Sequence, residues 1–425
     1  MAGRSYFGTD GVRGIPGADL TDSLVRRLGA AFARWSGGCP VLVGRDTRAS
    51  GPALQAALAD GLIGGGAQVR LGGVLPTPAV ALLAEHCGAV VSASHNPAEY
   101  NGVKLFDRGG RKLSDAEEEA IEALLDDQPE PGAAVAPAEE TGLAERYAEL
   151  VTERFGVPLD GLRIACDCAN GAFSGLAPGV LERLGAGVSA LADAPDGENI
   201  NAGCGATDLS LLAGAVAQGE FDLGVAFDGD GDRMLAVDAA GETVDGDAIL
   251  AVLALHLGVE LVVVTSMTNL GFHRLMEERG IRVVTTDVGD RYVLEALRRE
   301  GGILGGEQSG HVVYLDGHVG GDGLVAALLL ARAVTESGES LAGLASVMPR
   351  FPQAIENVPV ATKELTDTIR AEVERLNGEL EGRGRVLVRP SGTEPVVRVL
   401  AEAESREEAN QASATIAALV RRELG

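Results

Sequence analysis

The stretch FDLGVAFDGDGDR (residues 221–233) joins an apolar strand to a loop with three aspartates at alternate positions. Two other stretches share this plan: GAVVSASHNP (88–97) and GGILGGEQSGH (301–311). Each of the three follows an apolar strand, a helical segment and a second strand that begins at a glycine. Strands that alternate with helical segments are typical of α/β units with mainly parallel pairing. The sequence therefore predicts three similar α/β domains.

The expected domain boundaries follow from the repeats and from changes in composition. A solvated connection is predicted over DDQPEPGAAVAPAEE (126–140), which is rich in Pro, Ala and Glu. After about residue 353 the repeated plan stops, and two strands around RPSGTEP (389–395) followed by a helix indicate a smaller α+β domain. We expect an α/β fold of three mixed-sheet domains around a cleft plus this smaller C-terminal domain, with the boundaries 1–150, 151–250, 251–352 and 353–425.

Composition argues against several functional classes. The net charge of −27 argues against a general nucleic-acid or anionic-membrane surface, although a small anionic substrate remains compatible. No segment approaches the ~18 consecutive apolar residues of a membrane span, and the first residues lack the apolar core of a secretory signal. Five cysteines are too few for a disulfide framework in 425 residues. Cys166 and Cys168 are therefore predicted to pack in the core of a cytoplasmic protein.

The three aspartates of FDGDGDR (227–233) indicate a metal site. A Ca²⁺-binding helix-loop-helix begins with similar spacing, but it requires glycine at its sixth position and glutamate at its twelfth, where this chain has Arg233 and Ala239. Oxygen-only ligation by Asp228, Asp230 and Asp232 favours Mg²⁺. Since Arg233 would oppose simple cation storage, we expect a phosphate between the metal and this guanidinium.

The loop VSASHNP (91–97) offers a candidate nucleophile, Ser94, directly after a buried strand. Ser, Asn and Pro also form ordinary turns, so this loop alone is compatible with a structural role. Lys104 is a candidate proton-transfer partner, and a solvated surface charge is the alternative. Only three of the 35 basic residues are lysines, which hints that lysine is kept where a cation must be able to lose a proton.

The loop GGEQSGH (305–311) combines a carboxylate, a hydroxyl and an imidazole at alternate positions. In an extended loop Glu307, Ser309 and His311 would face one side, where they suit sugar hydroxyls and proton transfer. A histidine with a purely structural hydrogen bond is the alternative.

The loop RPSGTEP (389–395) has the composition of a phosphate clamp. Its predicted anion ligands are an arginine, two hydroxyls and a glycine whose neighbours can offer N–H groups: Arg389, Ser391, Gly392 and Thr393. Arg398, on the following strand, is a further candidate. A hairpin turn is the alternative interpretation.

These four loops, in this order, resemble those of the α-D-phosphohexomutase superfamily, and the resemblance covers essentially the whole chain. VSASHNP is similar to its phosphoserine loop, DGDGDR to its metal loop, GEQSGH to its sugar loop and RPSGTEP to its phosphate loop. The opening YFGTDGVRG, the form EQSGH and VGDRYV (288–293) most resemble the branch that acts on glucosamine phosphates for amino-sugar nucleotide synthesis.

The resemblance implies a phosphoserine at position 94 that completes a one-Mg²⁺ site and exchanges phosphate with glucosamine 6-phosphate through a sugar 1,6-bisphosphate to give glucosamine 1-phosphate. It places five residues in catalysis: Arg13, Ser94, His95, Lys104 and His311. Arg233, Asp290 and Arg291 would line the cleft, and the C-terminal domain would close on the substrate. A homodimer is implied, with an unidentified phosphate donor or kinase for Ser94 and the sugar 1,6-bisphosphate as activator or intermediate.

Two alternatives remain open at the level of the sequence. The first is the same chemistry on mannose or glucose phosphates. The second is a non-catalytic sugar-phosphate or metal-binding protein, although such a protein has no need of a nucleophile at Ser94.

Overall fold

The computed structural model of the chain describes residues 6–8, 10–125, 137–391 and 395–425. They form two compact units. The first contains Met1–Ser266 with Arg282–Ser346, and the second contains Met267–Ile281 with Val347–Gly425.

The first unit begins with a five-stranded mixed sheet and its helices. These elements are β1 (Val12–Gly14), α1 (Asp22–Trp35), β2 (Val41–Arg45), α2 (Gly51–Gly64), β3 (Val69–Val74), α3 (Thr77–Leu83), β4 (Cys87–Val91), β5 (Asn101–Phe106) and α4 (Asp115–Glu122). The strand order is β1-β5-β4-β2-β3. β2 is parallel to β3 and β4, whereas β5 is antiparallel to its two neighbours.

A second five-stranded sheet in the first unit repeats this topology. Its elements are α5 (Leu143–Phe155), β6 (Arg163–Asp167), α6 (Leu176–Arg183), β7 (Gly187–Leu191), α7 (Ser210–Gln218), β8 (Leu223–Phe227), β9 (Met234–Asp238) and β10 (Thr243–Val244). In the order β10-β9-β8-β6-β7 the last four strands correspond to β5-β4-β2-β3 of the first sheet, with β9 antiparallel to β8. The edge strand differs, because β10 follows the other strands in the chain whereas β1 precedes them.

A third sheet, of four strands, lacks only the outermost strand of this plan. The elements in this part of the chain are α8 (Gly246–Leu257), β11 (Leu261–Thr265), α9 (Leu270–Glu278), β12 (Arg282–Thr286), α10 (Asp290–Glu300), β13 (Leu304–Gly306), β14 (Val312–Tyr314), α11 (Gly323–Ser337) and α12 (Leu341–Ala345). The order is β12-β11-β13-β14, with β14 antiparallel to β13. The predicted threefold repeat of mixed α/β sheets is therefore confirmed.

The three loops with chemical character occupy equivalent places in the repeat. They lie between β4 and β5, between β8 and β9, and between β13 and β14. In each case the loop joins the third strand to a neighbouring antiparallel strand, as in a hairpin. The topology therefore presents each loop at the carboxyl edge of its sheet, where open α/β sheets bind ligands.

Local sequence explains where several helices begin and which face they bury. Ser114 and Glu117 form a capping box at the start of α4, because each side chain bonds to the other residue's backbone N–H. Along α1, Val25, Leu28 and Phe32 are spaced i, i+3 and i+7 and are buried in the core of the first domain. Full burial of each such side chain stabilises the fold by about 1.5–3 kcal/mol.

The second unit is an antiparallel three-stranded sheet packed with helices. Its further elements are β15 (Gln353–Pro359), α13 (Asp367–Glu379), β16 (Gly384–Pro390), β17 (Val396–Ala403) and α14 (Arg406–Leu424), with the strand order β15-β17-β16. Ser405 caps α14 by accepting a hydrogen bond from the Glu408 N–H. Helix α9 belongs to this unit, where Asn269 bonds to the backbone of Phe351 through both its amide nitrogen and its amide oxygen.

Two expectations from the composition concern the cysteines and the membrane-spanning segments. All five cysteines are free and buried, and Cys166 and Cys168 pack in the core as predicted. Among the helices of the described residues, none combines the length and apolar character that crossing a bilayer requires.

Candidate active site

Ser94 lies in the loop after β4, at the carboxyl edge of the first sheet. Its side chain is buried, and its Oγ donates a hydrogen bond to Asp228 Oδ2 at 2.6 Å. His95 Nδ1 lies 3.2 Å from the same hydroxyl oxygen. The φ of Ser94 is +54°, a left-handed conformation that costs a non-glycine residue about 1–3 kcal/mol. The predicted nucleophile thus contacts the predicted metal loop and has a strained backbone.

The metal loop brings its three aspartates together directly after β8. Asp228, Asp230 and Asp232 are buried, and one carboxylate oxygen from each lies within 4.8 Å of the others. Gly231 has a φ of +79°, and a Cβ there would lie 2.4 Å from the ring of Phe173, so the curl of the loop requires glycine. Three hard oxygen donors in this arrangement can bind a divalent cation.

Asp230 and Asp228 show that the cluster fits such a cation. Asp230 Oδ1 is buried without a hydrogen-bond partner among the described residues, whereas its Oδ2 accepts from Thr77 Oγ1 at 2.5 Å. A buried carboxylate oxygen is costly unless something binds it. Burial, Asp232 and Asp230 raise the pKa of Asp228 to about 7, because three adjacent carboxylates resist being ionised together. A metal ion would remove both costs.

Lys104, on β5, is the side-chain cation at the centre of this cluster. Its Nζ lies 2.7 Å from Asp230 Oδ2 and 2.8 Å from both Asp232 Oδ2 and Asp10 Oδ2. Burial opposes the charge on Lys104, but Asp10, Asp230 and Asp232 outweigh it and raise the pKa of Lys104 well above its usual value. Lys104 therefore holds its proton in this state of the site.

Asp10 and Lys112 belong to the site although sequence reasoning did not assign them. Lys112 Nζ lies 2.8 Å from Asp10 Oδ1 and 2.6 Å from Asp290 Oδ2. Burial alone would raise the pKa of Asp10, but Lys104, Lys112 and Arg13 hold it well below its usual range. The scarcity of lysine was the one signal for Lys112, which is one of three in the chain.

Arg13 and Arg233 make the surroundings of Ser94 positive. Arg13 Nη2 donates to Asp10 Oδ2 at 2.8 Å, and its Nη1 donates to the carbonyl of Ala93 at 3.4 Å, beside the nucleophile. Burial, together with the charges of Arg233 and Arg13, lowers the pKa of His95 to about 3. His95 is therefore neutral, and the two guanidinium groups near it suit a phosphate dianion.

The sugar loop joins the metal loop through His311. Its Nδ1 lies 3.0 Å from Glu307 Oε2 and its Nε2 lies 3.0 Å from Asp232 Oδ1. The expectation of an extended loop is wrong, because the Gly310 N–H bonds to the Glu307 carbonyl and closes a turn that returns the chain into β14. As a result Ser309 is exposed, whereas Glu307 and His311 are buried. Sugar binding by Ser309 stays a prediction.

His311 is held in its charged form. Burial and Arg233 lower its pKa, but Asp232 and Asp290 outweigh them and raise the pKa to about 10. Asp232 bonds His311 through Oδ1 and Lys104 through Oδ2. One carboxylate therefore links the two candidate proton-transfer groups, so the charge of each affects the other.

Asp290 and Arg291 point to different neighbours at the start of α10. Asp290 pairs with Lys112 and so belongs to the carboxylate cluster. The guanidinium of Arg291 instead lies 2.6 Å from Asp115 and 3.0 Å from Glu118, at helix α4. A direct contact between Arg291 and substrate stays a prediction.

The phosphate loop lies in the second unit. Arg389 on β16 is the direct cross-strand partner of Arg398 on β17. Like charges at directly opposed positions repel, so this pairing favours an anion between them. Ser391 is buried, and its carbonyl accepts from Lys363 Nζ at 2.8 Å. Two predicted residues of this loop lie outside the described residues: Gly392 and Thr393.

Comparison with known families is consistent across the chain. The sequence matches the phosphoglucomutase/phosphomannomutase alpha/beta/alpha domain I over residues 4–131, domain II over 145–241, domain III over 245–351 and the C-terminal domain over 334–419. It is 49% identical to phosphoglucosamine mutase of Pelotomaculum thermopropionicum, with 94% of this chain and 95% of that protein covered. It is 48% identical to phosphoglucosamine mutase of Thermobifida fusca, with 98% of each covered.

Two solved structures share the fold over nearly the full length. A phosphoglucomutase/phosphomannomutase family protein of Burkholderia thailandensis has a TM-score of 0.84 and 25% identity, covering 98% of this chain and 97% of that one. The N-acetylphosphoglucosamine mutase of Aspergillus fumigatus, solved with GlcNAc-6P and magnesium, has a TM-score of 0.74 and 20% identity, covering 98% and 96%. At 20% identity, the similarity to the Aspergillus fumigatus protein shows a shared fold only.

Proposed function

Since the chain belongs to the phosphoglucomutase/phosphomannomutase family, the α-D-phosphohexomutase superfamily, we propose that it transfers phosphate through Ser94. The chain is a phosphomutase, an isomerase that interconverts glucosamine 6-phosphate and glucosamine 1-phosphate. The proposed route runs through a phosphoserine enzyme and a 1,6-bisphosphate. The observation that carries the site assignment is the 2.6 Å contact between Ser94 Oγ and Asp228 within the buried aspartate cluster.

The reaction consists of two opposite phosphoryl transfers. In the first, a sugar hydroxyl attacks the phosphorus on Ser94: its O–P bond forms as the Oγ–P bond breaks. The hydroxyl proton passes to a base, and Ser94 Oγ takes a proton from an acid. The bisphosphate then reorients, and Ser94 takes the other phosphate in the reverse step. Phosphoserine is regenerated, and atoms and charge balance over the cycle.

Lys104 and His311 are the proposed acid–base pair. Both hold a proton in the structure, because neighbouring carboxylates raise their pKa values, so both are set up as acids in this state. Lys104 or His311 can act as a base only after the carboxylates beside it bind another positive charge, because its pKa then falls. His95, which is neutral, contacts Ser94 Oγ directly and is proposed to orient it.

A single Mg²⁺ is proposed at Asp228, Asp230, Asp232 and the phosphorylated Ser94. When bound, it would neutralise charge on the transferring phosphoryl group. Arg13 and Arg233 are proposed to bind the same phosphate from the protein side, since both lie close enough to lower the pKa of His95. A sugar 1,6-bisphosphate is the proposed activator.

The remaining substrate contacts are proposed from loop chemistry. Glu307 would accept hydrogen bonds from sugar hydroxyls, with Ser309, Asp290 and Arg291 as further contacts. The phosphate that does not react would bind the loop of the second unit, whose proposed ligands are Arg389, Ser391, Gly392, Thr393 and Arg398. The opposed arginines on β16 and β17 support this assignment.

The domain division and the partners are proposed on the same basis. The proposal includes a four-part division at about residues 150, 250 and 352, a homodimer, and an unidentified phosphate donor or kinase for Ser94. Size-exclusion chromatography with light scattering tests the dimer, and a single-chain mass would refute it.

Phosphorus NMR of the purified protein with Mg²⁺ and a trace of sugar bisphosphate tests the function. Glucosamine 6-phosphate and glucose 6-phosphate are supplied in parallel, with Ser94→Ala as the control. We expect the 1-phosphate signal to appear faster from the amino sugar and to be absent with Ser94→Ala. Faster conversion of glucose 6-phosphate would show that the preferred substrate is a glucose phosphate. No conversion by protein shown to carry phosphoserine would refute the mutase function.

A further inference from the structure

Arg48, in the stretch GRDTR (44–48), has no part in the reaction as proposed above. Its side chain is fully buried in the first unit and forms an ion pair with Asp46, which is equally buried. A buried arginine is costly unless its N–H groups find acceptors, and an arginine has five of them. The acceptors around Arg48 therefore indicate what it contributes.

All five N–H donors of Arg48 are used, and four of them bind the loop that carries the nucleophile. Nε donates to Asp46 Oδ2 at 2.8 Å. The two terminal nitrogens donate to four backbone carbonyl oxygens of the loop: Ser94 (2.9 Å), Asn96 (2.8 Å), Pro97 and Tyr100 (2.9 Å). A single guanidinium thus fixes four carbonyls within seven consecutive residues.

Asn201 holds two of the same carbonyls from the second domain of the first unit. Its Nδ2 donates to the Ser94 carbonyl at 2.9 Å and to the Asn96 carbonyl at 3.1 Å. The backbone N–H of Ser94 donates to Ser92 Oγ at 2.9 Å. The Ser92 hydroxyl in turn donates to Asp46 Oδ2 at 2.6 Å. Both backbone polar groups of Ser94 are therefore held by side chains.

We propose that Arg48 and Asn201 are positioning residues that hold Ser94 in its left-handed conformation and so direct its Oγ toward Asp228. A φ of +54° at serine persists only where the surroundings fix the backbone from several sides. Lysine at position 48 would supply three donors without the planar fork of arginine. This inference rests on the proposed function, because it concerns the aim of the phosphate-carrying hydroxyl.

The test uses Arg48→Lys and Asn201→Ala in the full chain, with kcat and KM for glucosamine 6-phosphate measured separately. Misplacing a reacting atom by about 1 Å costs about 100-fold in rate, which is the fall in kcat expected for Arg48→Lys. Asn201→Ala removes only the shared donor, so we expect about a tenfold fall. KM should stay within about threefold for both variants, because ground-state binding of the sugar is unchanged.

Tyr147→Phe is the matched control, since it removes a buried 2.7 Å hydrogen bond to Asp322 in the same unit without touching the loop. Its kcat should match that of the parent. A parental kcat in Asn201→Ala would overturn the proposal, and this outcome can be read even if Arg48→Lys does not fold. An equal fall in all three variants would also overturn it. An inactive parent would instead count against the function itself.

Discussion

Lys104 Nζ lies 2.7 Å from Asp230 Oδ2, so a side-chain cation already contacts a carboxylate that we propose as a metal ligand. Two unit charges about 4 Å apart interact by roughly 4 kcal/mol at an effective dielectric constant of about 20. Lys104 and a divalent cation therefore oppose each other in this cluster. Lys104→Met should raise the affinity of the non-phosphorylated protein for Mn²⁺ by about tenfold, measured by electron paramagnetic resonance.

Lys363→Met is the control for this measurement, because Lys363 contacts Ser391 in the other unit and leaves the aspartates alone. Its Mn²⁺ affinity should equal that of the parent. Unchanged or weaker binding by Lys104→Met would show that the lysine does not compete with the metal.

Gly229 allows the metal loop to approach the nucleophile loop. A Cβ at this position would lie 2.7 Å from the Ser94 carbonyl oxygen and 2.9 Å from Asn201 Nδ2. Gly229→Ala should therefore push the two loops apart and lower kcat by about 100-fold. Steady-state kinetics on folded protein is the measurement.

Gly179→Ala is the matched control for Gly229→Ala. Gly179 lies in α6, and among the described residues nothing beyond its chain neighbours and the nearby backbone of α6 comes within 4 Å of a Cβ placed there. Alanine should leave kcat unchanged and stabilise the fold by roughly 0.5–1 kcal/mol, read from chemical denaturation. A similar loss of activity in both variants would exclude the steric explanation for Gly229→Ala.

The two histidines of the site should titrate far apart. In metal-free protein the pKa of His311 is raised to about 10 and that of His95 is lowered to about 3. Nitrogen-detected NMR of the imidazoles at pH 7 should thus show His311 protonated on both nitrogens and His95 neutral. Added Mg²⁺ should lower the pKa of His311, because it reduces the negative field of Asp232.

Protonation of His311 and protonation of His95 affect the stability of the fold in opposite directions. For His311 the folded pKa exceeds the unfolded value of about 6.5, so its stabilising contribution is complete below that pH and disappears as pH rises toward 10. For His95 the contribution is complete above about pH 6.5 and disappears as pH falls toward 3. Unfolding free energies of His311→Gln and the parent, compared from pH 6 to 10, should converge. Divergence with rising pH would refute the assignment.

Arg398 should affect substrate binding more than chemistry. Its partner across the ladder is Arg389, and an anion between them relieves the repulsion. Arg398→Gln should raise KM for glucosamine 6-phosphate at least tenfold while kcat changes less, as expected when binding common to ground and transition states is lost. Without phosphate, the variant should be as stable as the parent or more stable.

Arg383→Gln is a suitable control, because it breaks an exposed pair with Glu408 and an exposed hydrogen bond to the Glu379 carbonyl, both within the same unit. Exposed pairs contribute about 0–1 kcal/mol, so neither KM nor thermal stability should change much. A normal KM for Arg398→Gln would remove it from the phosphate site.

Much of the fold was predictable because its signals are local. Alternation of apolar strands with helical segments predicts the three repeats. The Ser-x-x-Glu spacing of Ser114 to Glu117 and of Ser405 to Glu408 is a local signature of a helix start, and both helices begin there. The assignment of α9 was not predictable. Apolar spacing shows that a helix buries one face but not which neighbour covers it, and here that neighbour is the C-terminal unit.

The candidate active site was likewise predictable only in part. Ser94 and the metal-loop aspartates stand out by residue type and spacing along the chain. The contacts of Asp10 with Lys104 and Lys112 join segments about 100 residues apart, and no local pattern encodes such a pairing. The turn within the sugar loop was missed because alternate spacing predicts a shared face only if the backbone stays extended, and the return into β14 prevents that.

The placement of each reactive loop between two adjacent antiparallel strands limits how it can move. The two ends of such a loop are held one strand spacing apart, about 5 Å, by hydrogen bonds to the sheet. None of the three can swing open like a flap hinged at one end. A large displacement of Ser94, the aspartates or His311 is therefore expected to involve the sheet that carries each of them. Motion that admits or turns the sugar is expected to move sheets together with their loops.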